Sequence, residues 1–131
     1  MCNHKLFNEK YRRTWQNPET ILTDIGLKSG FTFIDIGCGE GFFTIPAARI
    51  VRKKGKVYGL DRDEEIVSIL REKISKAGAI NIDLKVGEAE ETIFCEKCVD
   101  VVFYGIVLHD FYNPRKVLKN AKKMLSIRSS G

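Results

Sequence analysis

Phe33-Ile-Asp-Ile-Gly-Cys-Gly-Glu-Gly-Phe-Phe43 (FIDIGCGEGFF) is the stretch on which the reading of this chain turns. Together with Phe31 and Thr32 its first residues are apolar and β-prone, which predicts a buried strand over 31–36. Gly37, Gly39 and Gly41 break that strand, and a helix is predicted over 42–51 with Pro46 tolerated near its first turn. Glycines at the mouth of a strand let the backbone turn sharply and come close to a ligand. Exposed N–H groups at the start of the following helix favour an anionic group such as a carboxylate.

Working outward, Lys56–Leu60 (KVYGL) reads as a second strand that ends at Asp61. Asp63 caps a helix with Ile66, Leu70, Ile74 and Ala77 at helical spacing, and Gly78 ends it. Ile82–Val86 (IDLKV) and Val99–Tyr104 (VDVVFY) read as third and fourth strands. Two Asn-Pro pairs mark helix starts. Asn17-Pro18 opens a segment with Ile21, Leu22 and Ile25 on one face, closed by Gly26. Asn113-Pro114 opens a last helix with Val117, Leu118, Ala121, Met124 and Leu125 inward and Arg115, Lys116, Lys119, Lys122 and Lys123 outward. Strands alternating with helices imply right-handed crossovers and a parallel α/β sheet. Residues 1–30 form an N-terminal helical segment in this reading, and 31–131 form the Rossmann-like domain.

The ligand is narrowed by charge. Asp61 lies about 20 residues past the glycines, where a carboxylate accepts hydrogen bonds from ribose hydroxyls. The dinucleotide fingerprint G-x-G-x-x-G is not kept, because the third glycine falls one place early and Phe42 takes its position. Asp35, just before the glycines, would repel a pyrophosphate. It suits a ligand with an ammonium and a sulfonium, and S-adenosylmethionine carries both. A NAD-dependent oxidoreductase is disfavoured on these grounds.

At this point a resemblance enters. FIDIGCGEGFF resembles the first motif of class I S-adenosylmethionine-dependent methyltransferases; GLDRDEEIV, VGEAEE and VDVVFYGIVLHDFYNP resemble their second, third and fourth. The likeness runs from about Trp15 to Leu125, with the flavour of the methyltransferases of ubiquinone and menaquinone biosynthesis. It implies that Asp35, Gly37 and Gly39 surround the methionine part of the cofactor, with Cys38 and Gly41 also among the cofactor-binding residues. Asp61 would hold the ribose diol, with Arg62 beside the adenine. Glu88 would accept from the adenine amino group, and the Ala89 N–H would reach a ring nitrogen. Tyr104 and Gly105 would close the fourth strand beside the site. Glu88 stands where many relatives carry Asp, and beside Glu90 and Glu91 it also reads as a solvated loop acid. His109 and Asp110 follow the fourth strand, where a methyl acceptor would approach; they are candidates for proton transfer or substrate orientation, or else plain loop residues. Tyr11 and Trp15 either close over the cofactor or pack elsewhere.

Relatives of this kind continue past the last helix with three more strands, whereas Ser126–Gly131 carries little pattern. The resemblance therefore implies a four-stranded sheet in the order 3-2-1-4, lacking the usual last three strands, with a hydrophobic fourth-strand edge open to pairing. Either a second copy or partner chain covers that edge, or the domain is a shortened relative that binds S-adenosylmethionine or S-adenosylhomocysteine without turnover.

Composition bounds the rest. The 131 residues are 44% hydrophobic and 30% charged, ordinary for a globular protein. No apolar run reaches the roughly 18 residues of a membrane span, and the N-terminus lacks the apolar stretch of a signal peptide, so a cytoplasmic location is expected. The net charge of +5 admits a nucleic-acid partner, but no arginine-rich, aromatic-interleaved stripe appears. Exocyclic base-amine methylation is disfavoured because Tyr104-Gly105-Ile106-Val107 replaces an Asn/Asp-Pro-Pro-aromatic stretch; RNA ribose remains open. The expected acceptor is a small molecule. Cys95-x-x-Cys98 lacks a second ligand pair beyond Cys2 and His4, so no metal is expected. The two cysteines read as ordinary thiols near a turn, with a reversible disulfide as the alternative.

Overall fold

The computed structural model describes residues 17–104 and 111–126. The elements are α1 (Pro18–Asp24), β1 (Thr32–Ile36), α2 (Thr44–Val51), β2 (Lys56–Asp61), α3 (Glu64–Ala77), β3 (Ile82–Val86), a 3-10 turn (Ala89–Glu91), β4 (Val101–Tyr104) and α4 (Pro114–Met124). Local chemistry explains most of their ends. Asn17 Oδ1 accepts from the Thr20 amide at 3.1 Å, Asp63 Oδ1 from Glu65 at 3.0 Å, and Asn113 Oδ1 from Lys116 at 3.2 Å. Each satisfies an amide that the first helical turn leaves open. Gly78 closes α3 in the left-handed conformation, at φ 71°.

Among the described residues all sheet pairings are parallel, and the strand order is β3-β2-β1-β4, as the resemblance implies. Strand alternation sends β1 side chains to two cores. Phe33 joins Leu22, Leu27, Phe43, Ala47, Val51 and Val57 on the α1/α2 side. Ile34 and Ile36 join Val99, Val117 and Met124 on the α4 side. Leu22 and Leu27 thus share a core with the sheet.

Several expectations need correcting. α2 begins at Thr44, because Phe42 and Phe43 are buried in the preceding loop, edge to face at 4.8 Å. In α1, Ile25 is exposed. In α3 the buried positions are Val67 and Leu70, while Ile66 and Ile74 are half-buried and Ala77 is exposed. In α4, Leu118 is exposed and Asn120 takes an inward place.

Past α4 the backbone turns back onto the start of β4. Leu125 bridges Val99 in parallel, the Ser126 amide donates to the Val99 carbonyl at 2.7 Å, and Ser126 Oγ donates to Asp100 Oδ1 at 3.2 Å. The other oxygen of buried Asp100 accepts from the Thr32 amide at 2.8 Å, which ties β1 to the same point. Cys95 and Cys98 are joined as a disulfide across the turn before β4, with Cα atoms 5.9 Å apart. The reading as two ordinary thiols gives way to its alternative. No helix among the described residues is long and apolar enough to cross a membrane.

Candidate functional site

A crevice of about 520 Å³ opens at the carboxyl ends of the strands, the end of a parallel α/β sheet where ligands bind. Ile36 and Gly37 from β1, Leu60 and Asp61 from β2, and Gly87, Glu88 and Ala89 after β3 line it. Arg62, Asp63 and Ile66 form its α3 side, and Phe111 closes it from the α4 side.

Asp61 is the best-held side chain. One carboxylate oxygen accepts from the Gly39 amide at 3.1 Å, the other from the Asp63 amide at 3.0 Å. These bonds lock the rotamer and join β2 to the glycine loop, and a carboxylate offers about four lone-pair sites, leaving capacity for two more donors. Gly41 shows why the loop is side-chain-poor: its φ is 90°, and a Cβ there would lie 2.5 Å from buried Leu70. Among the described residues the charged lining is three acids, Asp61, Asp63 and Glu88, against one base, Arg62. That balance favours a cationic ligand and disfavours a pyrophosphate.

Among the sequence-derived residues, Gly37, Asp61, Arg62, Glu88 and Ala89 meet in this crevice. Asp35 does not line it: it is buried beneath, accepting from Thr44 Oγ1 at 2.8 Å on the α2 side. Cys38 is buried as well, its sulfur against the backbone of Gly59. Burial, reinforced by the charges of Asp35 and Asp61, holds its thiol well above its ordinary range. The Cys38 amide donates to the Leu60 carbonyl at 3.0 Å, so this residue packs and shapes the loop. Gly39, whose amide bonds Asp61, and Gly41 belong to the loop but are not among the residues that line the crevice. Tyr104 is half-buried, its phenol raised by burial, and its ring meets Phe111 at 6.5 Å. Gly105, His109, Asp110, Tyr11, Trp15, Cys2 and His4 lie outside the described residues.

Ile66 and Phe111 are site residues that sequence reasoning missed. Ile66 read as a core position of its helix, and Phe111 carried no signal except an aromatic ring just before the Asn113-Pro114 helix start. Phe111 is held by its neighbours. Glu90, fully buried, accepts from the Asn113 amide at 3.1 Å, and Tyr112 donates to Glu91 at 2.9 Å. From α4, Asn120 Nδ2 donates to the carbonyls of Ala89 at 3.2 Å and Glu90 at 2.8 Å. These bonds fasten the turn after β3 to α4.

Comparison with known proteins agrees with this geometry. The probable cobalt-precorrin-6B C(15)-methyltransferase (decarboxylating) of Saccharolobus solfataricus is 39% identical over 69 residues, covering 52% of this chain and 35% of that protein. The demethylmenaquinone methyltransferase of Geobacillus stearothermophilus is 28% identical over 114 residues, covering 87% of this chain and 49% of that protein. The chain thus spans between about a third and a half of these curated relatives' length. A crystal structure of an S-adenosylmethionine-dependent methyltransferase from Aquifex aeolicus superposes with a TM-score of 0.79 at 30% identity, covering 92% of this chain and 68% of that one. Residues 27–130 match the family described as Methyltransferase domain. With the parallel 3-2-1-4 sheet and the acid-lined crevice at its carboxyl end, this chain belongs to the class I S-adenosylmethionine-dependent methyltransferase family.

Proposed function

We infer that this domain binds S-adenosylmethionine in the crevice and transfers its methyl group to a small-molecule acceptor. The observation that carries the reading is the clamped Asp61 carboxylate at the end of β2, facing an acid-rich hollow of ligand size. The donor set fits the cofactor. Asp61 accepts from the ribose hydroxyls, and Arg62, Ile66 and Phe111 pack about the adenine. Glu88 accepts from the adenine amino group and the Ala89 N–H donates to a ring nitrogen. Gly37 and Gly39 border the methionine part, with Asp35 adding negative charge from below. Bound S-adenosylmethionine supplies a methyl carbon already activated by positive sulfur. The protein's task is then to align that carbon with the acceptor and keep water out, which calls for few obligatory catalytic groups. His109 and Asp110 stand in the chain segment between Tyr104 and Phe111 and are the residues to test on the acceptor side.

Both curated relatives are named for small-molecule acceptors, a cobalt-precorrin and demethylmenaquinone, which supports a small molecule here. A cytoplasmic site of action belongs to the same proposal. A second reading is cofactor binding without turnover. In it, a second copy or partner strand on the outer edge of β4 would complete the sheet.

Calorimetric titration with S-adenosylhomocysteine tests both. Asp61→Ala should weaken binding by about 1–3 kcal/mol, roughly 5- to 150-fold, through lost ribose hydrogen bonds. Unchanged affinity in a folded variant would remove the assignment. Transfer of labelled methyl to a component of a small-molecule extract separates the enzyme from the binding module.

A further inference from the structure

One hollow is larger than the crevice. A cavity of about 730 Å³ lies at the opposite end of the sheet, between the turn that joins α2 to β2 and the turn that joins α3 to β3. The length of β2 separates the two, about 17 Å for its six residues. Its floor is apolar, made by Ile45, Ala48, Ala77 and Ile80, and Ile80 is 77% exposed. Its rim carries Arg49, Arg52, Lys53 and Lys54, and no acid among the described residues lines it. Arg49 reaches Glu19 only at 4.0 Å, and the other three have no acidic partner among the described residues.

Arg52 is the unusual feature. It ends α2 at φ 61°, ψ −169°, a backbone region that is essentially reserved for glycine because a Cβ is crowded there. The surroundings impose that conformation. The Arg52 amide donates to the Ala48 carbonyl at 3.1 Å, and its own carbonyl accepts from the Gly55 amide at 3.0 Å and from Asn81 Nδ2 at 2.8 Å. Glycine would satisfy all three bonds without strain. An arginine there gives up stability and gains only its guanidinium, placed on the rim of an apolar hollow beside three more cations.

We propose that this cavity is a second ligand site, which takes a small organic phosphate with an apolar or aromatic body. The phosphate sits between the Arg52 and Arg49 guanidinium groups, whose planar forks match its oxygens, and the apolar body lies on Ile45, Ala48 and Ile80. The volume is that of a small-molecule pocket. The concave apolar floor, with the basic face of α4 on the other side of the sheet, disfavours a continuous nucleic-acid track.

Titration of the whole chain with 1-naphthyl phosphate tests this. Saturable binding with one molecule per chain is expected, not displaced by S-adenosylhomocysteine. Inorganic phosphate and 1-naphthol should each bind at least about tenfold more weakly, since each lacks half of the ligand. Arg52→Gly should lower the affinity by about 10- to 100-fold while raising the melting temperature by about 3–6 °C. Arg49→Gln should weaken binding without the rise. Equal affinity of wild type and Arg52→Gly overturns the proposal. So does displacement by S-adenosylhomocysteine, or tighter Arg52-dependent binding of a single-stranded RNA 20-mer, which would make the face a nucleic-acid surface.

Discussion

Asp61 shows how one side chain can brace a loop and still offer acceptors to a crevice. Its two backbone hydrogen bonds hold the glycine loop, and its remaining lone pairs face the crevice. The same economy appears at Tyr112, whose hydroxyl donates to Glu91 at 2.9 Å. That bond, then burial and the neighbouring acids, pushes the phenol up to about 12 from 10.0. A phenol raised in the folded state contributes stability that is fully present below its unfolded value and is lost as pH rises through the folded one. The Tyr112–Glu91 bond should therefore persist to pH 10 and disappear as pH rises through about 12. Ultraviolet difference titration of wild type against Tyr112→Phe reads this phenol, and Glu91→Gln should bring its midpoint back toward 10. A midpoint that ignores Glu91 would refute the account. Asp61 was legible in the sequence because it lies in a local motif. Glu91–Tyr112 was not, because its partners, 21 residues apart, belong to no recurring motif.

At the scale of elements, α4 departs most from its pattern. Helical periodicity put Leu118 inward, but the chain seats α4 with Val117, Asn120, Ala121 and Met124 buried. A buried asparagine is stable there because its Nδ2 donates to the Ala89 and Glu90 carbonyls of the turn after β3. Apolar periodicity cannot find such a position, since the reason for it is on another element. Asn120→Leu leaves both carbonyls buried without that donor and should cost about 1–3 kcal/mol, read from the urea midpoint. Because Ala89 lines the crevice, affinity for S-adenosylhomocysteine should fall with it. A loss of stability at constant affinity would show that the bonds brace the fold without shaping the site.

For the whole molecule, the question is how the N-terminal helix relates to the sheet. Leu22 of α1 has no exposed surface and packs in one cluster with Phe33 and Val57 of the sheet. The segment 17–27 should therefore unfold together with the rest. Leu22→Ala should lower stability by about 2–4 kcal/mol, with far- and near-ultraviolet circular dichroism following one urea transition. Two separated transitions would mean that α1 and the sheet are independent units. Charge is also divided at this scale: acids gather at the carboxyl end of the sheet, cations around the cavity at the other end.

What the amino-acid order determined unaided is the succession of strands and helices, their parallel crossovers, and the glycine loop with Asp61. These rest on short-range patterns: glycine at turns, Asn-Pro and Asp caps, apolar runs, and the handedness that parallel crossovers must follow. Tertiary structure alone decided that Phe111 and Ile66 wall the crevice, that Cys38 and Asp35 lie beneath it, and that Arg52 is held in a glycine's conformation. Each of those outcomes depends on which distant residues come into contact, and contact between segments far apart in the chain leaves no periodic trace along it.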